Sequence, residues 1–146
     1  MKLEQLEKEW MEDCDIDAGN LGSAALDIPK LHSKWYRILM EEKRIMYALS
    51  IKKGDLELLL ESYYLKTLTA EEIAAAGLPP LSDKKILKPD VMKHVQTNKD
   101  MVMLNLKIAT QSDKVEFVKD ILKQVHGRSF IIKDAIQWAM FQAGSR

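Results

Sequence analysis

One cysteine, four prolines and six glycines are spread over 146 residues, and each scarcity removes a class of explanation. Cys14 cannot close an internal disulfide, so a disulfide scaffold is excluded and a reducing cytoplasm is the expected setting. The glycines form neither the Walker A nor the GxGxxG spacing, so no phosphate cradle for a nucleotide is legible and ATP hydrolysis is not expected. His32, His94 and His126 lie far from one another and from Cys14, which leaves no metal-ligand spacing; they read as surface or helix-end residues. No window approaches about 18 consecutive apolar residues. The opening MKLEQLEKEW is charged where a signal peptide would be apolar, so neither membrane insertion nor secretion is expected. Excess charge is also lacking, since Lys+Arg and Asp+Glu each number 22.

What is present is apolar material, 47% of residues, against 30% charged, enough for one compact domain with a modest core. Charge is uneven along the chain. Residues 1–30 hold three cations and eight carboxylates, residues 31–83 hold seven and eight, and residues 84–146 hold twelve and six. An acidic N-terminal end and a basic C-terminal half could meet different partners or one another between subunits; solvated helix faces are the plainer reading.

Helical periodicity dominates. Residues 2–13 place Leu3, Leu6, Trp10 and Met11 on one side of a short helix, and DIDAGNLGS breaks it. Asp27 as cap and Pro29 in the first turn suit a helix start. From there Leu31, Trp35, Ile38, Glu42, Ile45, Leu49, Lys52, Leu56, Leu59 and Tyr63 step alternately by three and four, the seam of a helix packed along another. That helix, from about Pro29 to Lys66, would span roughly 57 Å. Gly54, beside a seam lysine, is expected to weaken or kink it. Thr69-Ala-Glu-Glu72 is a capping box for a short helix ended by Gly77 and Pro79-Pro80. LSDKKILKPD reads as a basic connector. Thr97 and Asp100 can open a second long helix, with Leu104, Ile108, Gln111, Val115, Val118, Leu122 and Val125 as a seam to pair with the first. MVMLNLKI, residues 101–108, alternates like a strand, but the seam runs through it and favours helix. Gly127 supplies a stop and Ser129 a cap.

A last helix, FIIKDAIQWAMFQAG, then covers more than half its circumference with Ile131, Ile132, Ala135, Ile136, Trp138, Ala139, Met140 and Ala143, with Phe130 and Phe141 outside that arc. One small domain offers too little surface to bury all of it. Lys133, Asp134, Gln137 and Gln142 are its few polar positions and should face water.

Chemistry is sparse. SIKK and SDKK match a Ser-x-x-Lys string that a lysine-rich chain produces by chance, and they lack its companion motifs. The carboxylates suggest no acid/base pair, so the chain reads as a non-enzyme without cofactor or metal. Basic residues do occur near aromatics: Lys34-Trp35-Tyr36-Arg37, Lys43-Arg44, Lys52-Lys53 and Tyr63-Tyr64. Single-strand binding needs cations along phosphates and aromatic faces for bases. Trp35, however, sits on the seam, and Glu41 and Glu42 interrupt the basic face. On these residues alone, solvated helix charges are the favoured reading.

MKLEQL, Ser33-Lys34-Trp35, Lys53, Tyr63-Tyr64, Met92-Lys93, Lys99-Asp100, Phe130, Ile132-Lys133, Ile136-Gln137, Phe141 and Ala143-Gly144 occur in an order and spacing that resemble UvsY, the recombination mediator family of T-even-like bacteriophages. The resemblance spans nearly the whole chain, with a variable middle near residues 67–90. It implies a homo-oligomeric ring, hexamer or heptamer, assembled through the C-terminal segment. It also implies binding to single-stranded DNA, to a UvsX-type recombinase and to the phage single-strand-binding protein, in the cytoplasm of the infected host. The expected architecture is all-α: a long helical hairpin with a short N-terminal helix and a C-terminal oligomerisation helix. Residues 1–129 would be a helical body binding DNA and recombinase and residues 130–146 the assembly helix, within one structural domain per chain.

One departure stands out. The family's Lys and Arg, two apart before the Tyr-Tyr pair, fall here on Leu58 and Leu60. Cations for DNA must come from elsewhere, and the candidates are Lys34, Arg37, Lys43, Arg44, Lys52 and Lys53, then Lys84, Lys85 and Lys88 of the connector. For assembly they are Phe130, Ile131, Ile132, Ile136, Trp138, Met140 and Phe141. The competing expectation is a ring-forming structural or adaptor protein that binds only proteins.

Overall fold

Heptad-spaced apolar residues on two long stretches become two 44-residue helices in a computed structural model of the chain, which describes residues 1–144. The elements are α1 (Leu3–Asp13), α2 (Leu21–Tyr64), α3 (Ala70–Ala75), a 3-10 turn (Lys88–Asp90), α4 (Val91–Thr97) and α5 (Lys99–Gln142). The chain is all-α, with no strand among the described residues; MVMLNLKI is helical. Two compact units result, one from residues 1–44 with the chain from Ser112 onward, the other from residues 45–111.

In the first unit Leu6, Trp35, Ile38 and Leu39 are buried together with Val115, Val118, Ile121, Val125 and Ile132 of α5. Trp10 meets Trp35 edge to face, ring centroids 5.8 Å apart. The Trp35 indole N–H donates to Asp13 Oδ2 at 2.9 Å, which supplies the partner that a buried indole needs. Lys114 Nζ lies 3.3 Å from Glu42 Oε2, and the Met1 ammonium 3.2 Å from Oε1, so the buried Glu42 carboxylate is neutralised. The Arg128 guanidinium donates to the carbonyls of Asp13 and Asp15 at 3.0 and 2.9 Å, tying the α1–α2 link to α5. Glu42 beside Lys114, and Trp35 bound to the same Asp13 that Arg128 holds, place α2 and α5 antiparallel within this unit.

In the second unit Leu60, Val91, Val95 and Met101 form the core, with Leu56, Tyr64, Leu78 and Ile86 against it. The connector is pinned at several points. Tyr63 Oη donates to the Pro79 carbonyl at 2.6 Å, and Thr67 Oγ1 to that of Ser62 at 3.1 Å. The Thr69–Glu72 capping box forms in both directions, at 3.1 and 3.2 Å. Gly77 ends α3 in the left-handed region, φ 68°, while Leu78 N–H closes on the Ile73 carbonyl.

Three local expectations, on where α2 begins, on Gly127 with Ser129, and on what opens α5, are corrected. α2 begins at Leu21, and Pro29 lies inside it. The proline removes one helical donor, yet half-buried Leu21, Ala24, Ala25 and Ile28 hold the preceding turns in place. Helix continues through Gly54. It also continues through Gly127 and Ser129, so FIIKDAIQWAMFQAG is the end of α5 and not a separate helix. There the seam itself runs on, from Val125 to buried Arg128 and Ile132, and outweighs the roughly 1 kcal/mol cost of one glycine. Finally, α5 is opened by Asn98, whose side-chain oxygen accepts from Asp100 N–H at 2.9 Å, while Thr97 ends the unforeseen α4.

The seam of α2 departs from the expected one at two positions. Buried and half-buried apolar and seam residues include Trp35, Ile38, Leu39, Glu42, Met46, Leu49, Lys53, Leu56, Leu59, Leu60 and Tyr63. The expected Ile45 and Lys52 are exposed, and Lys53 takes the lysine position on the seam.

Candidate nucleic-acid interface

The packing of α2 decides what Leu60 can do. Its side chain is 0% exposed in the core of the second unit, whereas Leu58 is 67% exposed. A guanidinium at position 60 would need a buried charge partner that this core does not supply. Leu60 thus serves the interior of this unit.

The first unit holds four of the candidate cations. Lys34 is committed, its ammonium lying 2.6 Å from Asp13 Oδ2 and 3.1 Å from Glu9 Oε2, with the Trp35 ring centroid 5.5 Å away. Burial pulls its pKa down, but hydrogen bonds to Asp13 and Glu9 and their charges outweigh that and raise it. Arg37 and Arg44 are exposed, Lys43 is half-buried, and none of the three is paired with a carboxylate among the described residues. Seven residues apart, Arg37 and Arg44 share one face of α2.

The second unit brings together residues far apart in sequence. A pocket of about 440 Å³ is lined by Tyr63 and Tyr64 from the end of α2, by Lys66, by Lys84 and Lys85 of the connector, and by Asp90 and His94. Lys66 adopts φ 62°, the left-handed conformation glycine usually takes after a helix. Its Nζ donates to the Lys84 carbonyl at 3.1 Å. Tyr64 is held on three sides: its hydroxyl accepts from Asn98 Nδ2 at 3.1 Å, Tyr63 abuts it edge-on at 5.0 Å, and the His94 ring lies 5.4 Å away, tilted 35°. Burial first, then neighbouring Tyr64, raises the pKa of Tyr63, so it remains a neutral donor to Pro79. Lys52 and Lys88 are exposed, and Lys53 is half-buried on the seam.

Sequence reading missed Lys66 and His94. Lys66 lies two residues after the Tyr-Tyr pair at the helix end, a signal that was there to be used. His94 joins the tyrosines only through α4, which the basic composition of the connector hides. Of the assembly candidates, Ile132 is 2% exposed and belongs to the chain's own interior. Phe130, Ile131, Ile136, Trp138, Met140 and Phe141 are exposed, Phe141 at 72%, with Trp138 and Phe141 stacked at 5.6 Å. No group of side chains suited to a metal ion occurs among the described residues, and no helix there is long and apolar enough to cross a membrane.

The fold is that of crystal structures of the bacteriophage T4 recombination mediator protein UvsY. The type II lattice form is 22% identical, with TM-score 0.79 and 98% of each chain covered. The type I form is 20% identical at TM-score 0.78, covering 94% of this chain and 98% of that one. No curated protein matches the sequence. Residues 9–145 match the family model described as "Recombination, repair and ssDNA binding protein UvsY", and the chain belongs to that family.

Proposed function

We propose that this protein is a non-catalytic recombination mediator of the infected host's cytoplasm. It binds single-stranded DNA and helps a UvsX-type recombinase load onto strands covered by the phage single-strand-binding protein. Family membership over residues 9–145 is the observation that carries this reading. Exposed cations without carboxylate partners, Arg37 and Arg44 in one unit and Lys84 and Lys85 in the other, support it because phosphate binding requires charge that is not already spent. The test is the recombinase's strand-dependent ATPase on DNA precoated with single-strand-binding protein. Adding this protein should restore the activity, and no restoration would contradict mediation. Capture of the recombinase by protein without any oligo-dT affinity would favour the adaptor reading instead.

The mediator works as a homo-oligomeric ring joined through the exposed end of α5. Six large apolar side chains left uncovered there support this, since a contiguous apolar face of that kind marks an interaction surface. Repetition around a ring would raise avidity without better single contacts. Ile136→Asp and Phe141→Asp should yield smaller species by light scattering, because a buried unpaired carboxylate is costly. Unchanged mass in both would refute the assembly role.

A further inference from the structure

The pocket of the second unit combines three cations, Lys66, Lys84 and Lys85, with a single carboxylate, Asp90, around an aromatic floor. Its volume of about 440 Å³ falls within the roughly 300–1,000 Å³ of small-ligand sites. The floor is fixed before any ligand arrives. Tyr64 is held by Asn98 and Tyr63, and it backs the exposed His94 ring at 5.4 Å. A flat, supported ring facing solvent beside clustered ammonium groups suits a ligand that is aromatic at one end and anionic at the other. Lys66 gives one hydrogen bond to the Lys84 carbonyl, leaving two of its three ammonium donors for an anion.

We infer that this pocket is a nucleotide subsite for single-stranded DNA, in which a base stacks on His94 backed by Tyr64 while Lys66, Lys84 and Lys85 hold the adjoining phosphates. The assignment rests on the strand-binding reading above and gives it a place and a stacking residue. Charges on α2 could track a backbone of any kind. The pocket adds recognition of the base as a flat ring, which is tolerant of sequence because every base has such a face. It also offers a replacement for the cations lost at Leu58 and Leu60, drawn from the connector.

The experiment titrates the full chain into fluorescein-labelled oligo-dT and into an oligonucleotide carrying 2-aminopurine, whose emission is quenched on stacking. Wild type should bind and quench. His94→Ala should weaken binding about five- to 150-fold, the range that stacking one base commands, and should abolish the quench. His94→Phe should restore both. Replacing Lys84 and Lys85 together by alanine should make the slope of log affinity against log salt shallower by about 1.4, at about 0.7 per phosphate on a single strand. Circular dichroism of the variants should match wild type. Wild-type affinity and quench in well-folded His94→Ala would overturn the subsite while leaving strand binding intact. Thymidine monophosphate held as tightly as the strand would likewise overturn it, in favour of a free-nucleotide site. A wild type that fails to bind oligo-dT at low salt would remove the strand-binding reading and the subsite with it.

Discussion

Replacing Arg128 by alanine removes the guanidinium that joins α5 to the link between α1 and α2. Arg128 is 8% exposed and its two hydrogen bonds, 3.0 and 2.9 Å, go to backbone carbonyls of Asp13 and Asp15. Bonds from a charged donor contribute about 1.5–3 kcal/mol each, so a full loss would reach about 3–6 kcal/mol. Asp15 is exposed and Asp13 half-buried, so water can reach the abandoned carbonyls and reduce that cost. The expected loss is therefore about 2–4 kcal/mol for Arg128→Ala. Arg128→Lys keeps the charge, but a single ammonium cannot reproduce the fork that reaches both carbonyls, and about 1–2 kcal/mol should be lost. Urea denaturation followed by far-UV circular dichroism measures both. A midpoint shift without a change of slope reports stability itself. Loss below about 0.5 kcal/mol in Arg128→Ala would refute the idea that this residue anchors the link, since that is the size of a neutral surface change.

Because the Lys34 ammonium is held by Asp13 and Glu9, Lys34→Ala should leave the salt slope of oligo-dT binding unchanged, whereas Arg37→Ala with Arg44→Ala should make it shallower by about 1.4; the reverse ranking would contradict the assignment. Gly54 and Gly127 sit inside helices, and an added Cβ at either meets nothing within 4 Å. Each Gly→Ala change should therefore raise stability by about 0.5–1 kcal/mol in thermal denaturation, and a loss would expose unrecognised crowding. The raised pKa values of Tyr63 and Lys34 mean that the folded state holds both protons more tightly than the unfolded chain, whose groups titrate near 10.0 and 10.5. Their contribution is complete below those values and is lost as pH climbs through the folded ones, so stability should fall above about pH 10. Stability rising there would reverse the sign.

The α5 seam could be read from the sequence because Val115, Val118 and Val125 are strongly apolar at unambiguous spacing, and all three are buried. In α2 neighbouring residues are equally apolar, so composition could not rank them: Ile38 and Leu39 are both buried, Met46 is half-buried where Ile45 is exposed, and Leu60 is buried more deeply than Leu59. That ambiguity hid the burial of Leu60. Caps built from side chains, such as Thr69 with Glu72, were visible because they are local. Helix ends set by competition were not: Pro29 and Gly127 are breakers by intrinsic preference, overridden by packing of their neighbours. The candidate cations were legible as charges but not as free or committed ones. Lys34 is spent on Asp13 and Glu9, whose separation in sequence conceals the pairing. Lys84 and Lys85 gain their partners Lys66 and His94 only through the fold of the connector.

The central claim is that uncommitted cations bind the phosphates of single-stranded DNA, and its most direct test is the affinity for oligo-dT at about 50 and about 200 mM salt. If about four to six phosphates are neutralised, affinity should fall about 50- to 350-fold between those conditions. Binding that is absent at the lower salt concentration, or equally tight at both, would contradict the account.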